Sequence, residues 1–168
     1  MPEKQTLERA EQDKREGKSS STQAGEFVRE EIEHIREGKH GARSTKQAIA
    51  IGLSKARRAG VRLKPPKRGT TTARTRKSAK RAYAAGRRGI KRRSRTRSRA
   101  IQRVLRREPH RTASRRALGR QAKSSARRRG ARARSAAAKK AVRTKGSARR
   151  SAAARKAAKT RARHRRAR

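Results

Sequence analysis

Two places in this sequence hold residue types whose spacing could do chemistry. Gly17-Lys18-Ser19 ends like a phosphate-binding loop, in which glycine-rich backbone cradles phosphates and a lysine reaches them. That chemistry needs a further glycine at position 12, where the chain has Gln12, and no strand pattern precedes it. Glu31-x-x-His34 places a carboxylate and an imidazole on one helix face, the spacing of one half of a di-iron carboxylate site. No second copy follows, so the expectation is a solvated helix surface. His40, His110 and His164 lie scattered among cations and would be poor metal ligands there. Serines and threonines are plentiful, but no base is placed to activate one, and no nucleophile, base and orienting group can be assembled. There is no cysteine to form a disulfide or thiolate site. The expectation is a protein without enzymatic activity, cofactor or metal.

What the sequence does supply in quantity is cation. The 168 residues carry 57 Lys plus Arg against 11 acids, a formal charge of +46. Ten of those acids lie within residues 1–37, and the last is Glu108. Residues 1–40 therefore sum to −2 and residues 41–168, with 49 cations and one acid, to +48. Such asymmetry marks a segment made to meet polyanions. Lys91-Arg92-Arg93, Arg127-Arg128-Arg129, Lys139, Lys140, Arg143, Arg155, Lys156 and Lys159 are the expected phosphate contacts, interchangeable among themselves. Arginine adds a planar fork suited to bidentate phosphate contacts.

The elements that would position these residues fall into two parts. Residues 1–64 read as a small helical head. Residues 3–16 are charged nearly all round, with Leu7 and Ala10 apolar and Glu11 and Arg15 paired at i,i+4. Residues 23–37 put Ala24, Phe27, Val28, Ile32 and Ile35 on one face, and Gly38 can end that helix. Ser44-Thr45-Lys46-Gln47 has the form of a capping box opening a third helix, with stripe Ile49, Leu53 and Ala56 and Gly60 as its stop. An Arg-Glu-Gly-Lys repeat at residues 15–18 and 36–39 marks both joints. An acidic second helix against a basic third suggests a hairpin. So small a core invites dimerisation through Phe27, Val28, Ile32 and Ile35. Lys46, Lys55 and Arg58 are the head's own candidate phosphate contacts.

Pro65-Pro66 ends the head. Across residues 65–168 only Tyr83, Ile90, Ile101, Val104, Leu105, Leu118 and Val142 are large and apolar. Low hydrophobicity with high charge is the signature of disorder. The expected class is thus a mostly disordered, otherwise α-helical chain: two or three short helices, then a long basic tail whose helices are transient or induced by binding. Within that tail residues 134–145 recur as 150–161, with eight of twelve positions identical and three others exchanging Lys for Arg.

The segment GEFVREEIEHIREGKHGARSTKQAIAIGLSKARRAGV (residues 25–61) resembles an uncharacterised bacterial family of small basic proteins that pair this helical head with a Lys/Arg/Ala tail. The resemblance implies a bacterial source and no established activity, and it transfers no functional residues. In composition the tail is similar to those of linker histones and bacterial histone-like proteins.

The expected function is sequence-nonspecific binding of duplex DNA by phosphate neutralisation, as a nucleoid-associated coating or compacting protein. Counterion release drives such binding without base contacts. The alternative is an RNA- or ribosome-associated basic protein, although single-strand and RNA readers usually add stacking aromatics and only Tyr83 lies in the basic region. A second alternative makes the head a protein adaptor, using Ile51 or the Phe27 stripe. A membrane is the weaker partner, because residues 98–107 are the sole apolar candidate for an interfacial helix. Met1-Pro2-Glu3-Lys4 does not open a secretory leader, so a cytoplasmic, nucleoid location is expected.

Overall fold

The computed structural model describes residues 2–89 and 94–166. Along them run α1 (Lys4–Arg15), α2 (Ser20–Arg36), α3 (Thr45–Arg58), α4 (Ala73–Arg87), α5 (Arg95–Arg106) and α6 (Arg115–Arg166), with a 3₁₀ helix at His110–Ala113. No strand occurs among the described residues, and no helix there is long and apolar enough to cross a membrane. The expectation of a mostly disordered chain is overturned, since helix covers most of the tail as well as the head. The physical reason is that Ala, Arg and Lys all rank among the strong helix formers. A count of large apolar residues does not register that propensity.

The chain forms two compact units, Met1–Gln121 and Ala122–Arg168. In the first, α2 is the centre, with α1 and α3 packed against it and α4 packed against α3. Helix starts follow the serines: Ser19 Oγ accepts from Thr22 N–H at 3.4 Å and Ser44 Oγ from Gln47 N–H at 3.2 Å. The Gln47 side chain reaches one residue further back than a capping box requires, accepting from Arg43 N–H at 2.8 Å. Gly38 and Gly60, with φ of 77° and 93°, turn the chain out of α2 and α3.

Two apolar clusters hold this unit together. Ile32, Ile35, Ala42, Ala48 and Ala113 form one, with Val28 and Leu118 against them. Ala10, Ala24, Phe27 and Ala56 form the other, flanked by Leu53, Ala59, Val61 and Leu63. Alanine supplies six of these nine buried residues, because the helices approach closely. At Gly52 of α3 an added Cβ would lie 2.7 Å from Val28 Cα of α2. Residues well beyond the paired prolines join this core. Arg36 Nε donates to the Ala113 carbonyl at 2.9 Å, Thr45 Oγ1 to that of Thr112 at 2.7 Å, and Gly41 N–H to that of Leu105 at 2.8 Å. Of the face expected to dimerise, Phe27, Ile32 and Ile35 are buried and Val28 is half-buried within the chain's own core.

In the second unit α6 is interrupted. Gly130 (φ 72°, ψ 165°) and Gly146 (φ 66°, ψ 169°) leave helical geometry and divide it. Only glycine adopts this backbone conformation without strain.

Candidate functional site

The two glycine breaks are sixteen residues apart, which is also the spacing of the sequence repeat. The repeat seen at 134–145 and 150–161 therefore extends back to its glycines, giving two cassettes, residues 130–145 and 146–161. Each opens on a Gly break and continues as helix. The same contact recurs in both: Arg134 Nε donates to the Gly130 carbonyl at 3.3 Å, and Arg150 Nε to the Gly146 carbonyl at 3.2 Å. Each cassette holds six Lys or Arg and no acid. At 1.5 Å per residue a cassette spans about 24 Å, a length over which duplex DNA presents about 14 phosphates. Lys139, Lys140 and Arg143 in the first cassette, and Arg155, Lys156 and Lys159 in the second, occupy equivalent exposed positions along one side of the helix. Arg127, Arg128 and Arg129 are exposed just before the first break. Lys91, Arg92 and Arg93 lie outside the described residues.

The head residues divide differently. Lys46 and Arg58 are at the surface. Lys55 is engaged elsewhere, with its Nζ 2.9 Å from Glu30 Oε1 and 2.7 Å from Glu31 Oε2. Burial alone would pull its pKa down, but the Glu31 and Glu30 carboxylates hold it above the ordinary lysine value. Lys18 of the loop-like Gly17-Lys18-Ser19 is likewise occupied, 2.6 Å from Asp13 and 2.8 Å from Glu16, while Ser19 caps α2. That triplet is a joint between helices.

Glu31-x-x-His34 is not a solvated surface. The Glu31 side chain has no exposed area, and His34 and His40 keep only 14% and 17% of theirs. The turn at Gly38 brings His40 back over α2, so that its Nε2 lies 3.4 Å from Glu31 Oε1. The two imidazoles meet edge to face with centroids 6.2 Å apart. From the start of the chain Glu3 Oε1 accepts from His34 Nε2 at 2.7 Å and lies 3.3 Å from Lys39 Nζ. The Glu3 carboxyl is held below the usual carboxylate range by His34 first and then by Lys39. One ligand atom each from Glu31, His34 and His40 falls within 4.8 Å of the others. The spacing of Glu31 and His34 was visible in the sequence. The return of His40 was not, because it depends on how Gly38 turns the chain.

No curated protein and no solved structure matches this chain. Residues 13–68, which span α2, α3 and the joints around them, match a family of unknown function (DUF6496).

Proposed function

We propose that the protein binds duplex DNA without sequence preference and without enzymatic activity, by neutralising phosphates through its basic tail, residues 65–168. The observation that carries this reading is the partition of charge: 49 cations against one acid after residue 40. The cassettes add an argument of form, since each offers a repeated run of Lys and Arg with no acid to repel phosphate, exposed wherever the burial of these side chains is described. If ten of these cations met phosphates, log K would fall against log salt with a slope near −9, following ~0.9 per phosphate neutralised. A nucleoid location goes with this activity. Duplex is favoured over single strands because Tyr83, the one aromatic of the basic half, is half-buried and offers no stacking platform.

The test is a competition for the full chain between duplex DNA and structured RNA at equal phosphate concentration, repeated with residues 1–121. The expected result is preference for the duplex by the full chain and a clear loss of affinity without residues 122–168. Structured RNA displacing the duplex, or residues 1–121 binding as tightly as the full chain, would overturn the reading.

A further inference from the structure

From the cluster under α2 we infer that Glu31, His34 and His40 form a site for a divalent transition-metal ion of the zinc type.

Each imidazole has its tautomer set by an acceptor. The Gly41 carbonyl lies 3.1 Å from His40 Nδ1 and can only accept, so Nδ1 carries the hydrogen. His40 Nε2 is then left with a lone pair that faces Glu31 Oε1 at 3.4 Å. Two acceptors facing one another in a buried place require a cation between them. A tetrahedral ion with bonds of about 2.0–2.1 Å separates its ligands by about 3.3 Å, close to the spacing found. On His34 the Glu3 carboxylate fixes the hydrogen on Nε2 and leaves the other nitrogen to give a lone pair. A carbonyl or carboxylate behind each ring is the usual support of metal-bound histidines.

Glu31 itself points the same way. Both its oxygens are buried without a hydrogen bond of good geometry. Lys55 Nζ stands 2.7 Å from Oε2 and compensates that oxygen, whereas among the described residues Oε1 faces His40 alone. Among the groups joined by these contacts, the carboxylates of Glu3, Glu30, Glu31 and Glu37 outnumber the ammoniums of Lys39 and Lys55 by two. A dication would offset that local excess of carboxylate, in a molecule otherwise overwhelmingly positive. Two imidazoles and one carboxylate suit Zn2+ and its neighbours rather than Mg2+ or Ca2+. The ion would tie the α2–α3 turn to α2 and, through Glu3, to the start of the chain.

The experiment uses the full chain, freed of metal by a chelator that is then removed. Zn2+ affinity is read by competition with a chromogenic chelator, and thermal unfolding is followed by circular dichroism with and without Zn2+. The expected result is a single tight equivalent that raises Tm, with no effect from Mg2+ at the same concentration. His34→Gln and His40→Gln should each weaken binding at least ~10-fold while leaving the metal-free spectrum unchanged. Glu3→Gln, acting behind His34, should weaken it by ~10–100-fold. Absence of a zinc-dependent rise in Tm would overturn the site. So would binding that survives the His34→Gln/His40→Gln double variant, since the ion would then sit elsewhere.

Discussion

A carboxylate with no exposed surface has to be compensated where it stands, and Glu31 shows how one residue ties distant parts of a chain together. Lys55 of α3 reaches both Glu30 and Glu31 of α2, so the acidic helix and the basic helix meet through a buried ion pair as well as through apolar packing. Removing one partner of such a pair leaves an unpaired charge inside and costs about 3–5 kcal/mol. Lys55→Met should therefore destabilise the metal-free protein by about 3 kcal/mol in urea unfolding, and adding Glu31→Gln should return part of that loss. Independent, additive effects of the two substitutions would show that the contact carries no coupling. The sequence announced opposite charge on the two helices but not burial. Glu31-x-x-His34 reads as surface because no second copy of the motif follows it, and only the placement of α3 and of His40 over that face removes it from water.

At the level of elements, the boundaries of the three head helices were legible to within about three residues, whereas the tail helices and the packing were not. Ser19, Ser44, Gly38 and Gly60 mark starts and stops through local hydrogen bonding and backbone conformation, which act within a few residues. Packing depends on residues that hydrophobic patterning passes over. Ala48, Ala56 and Ala113 are fully buried, and Gly52 lets α3 touch the α2 backbone. Beyond the paired prolines the seven large apolar side chains are too sparse to announce a core, yet Leu118, together with the small Ala113, completes the first cluster. Glycine substitutions separate the two kinds of position. Gly52→Ala brings a methyl against Val28 Cα, which is backbone and cannot swing aside, so α2 and α3 must part. Overpacking of this kind costs about 1–3 kcal/mol, and thermal unfolding should show a fall in Tm of several degrees. Gly25→Ala, also within a helix but with nothing within 4 Å, should leave Tm unchanged or raise it, because alanine exceeds glycine in helix propensity by up to ~1 kcal/mol. Equal effects at the two sites would remove the close approach from the account of how α2 and α3 pack.

Across the whole molecule, charge is divided more finely than into a neutral head and a basic remainder. Residues 1–121 carry 37 cations and all 11 acids, whereas residues 122–168 carry 20 cations and no acid. In the second unit the cations come in two like cassettes opened by Gly130 and Gly146, and that modularity makes the proposed binding mode countable. Deleting residues 146–161 removes one full repeat, six cations and one glycine break together, and rejoins equivalent positions. If each cation neutralises a phosphate, the slope of log K against log salt should become shallower by at most about 5, and by about 3 if half of them do. Arg143→Ala alone should change it by at most about 1. Fluorescence anisotropy of a labelled duplex between about 50 and 200 mM salt, the range over which such contacts separate strongly, measures both. Diffuse neutralisation demands that the loss scale with the number of cations removed. A cassette deletion that leaves the slope unchanged would place the contacts outside the repeats. An Arg143→Ala loss as large as that of the whole cassette would mean one fixed contact governs binding, and a repeated array of interchangeable cations would then be the wrong description.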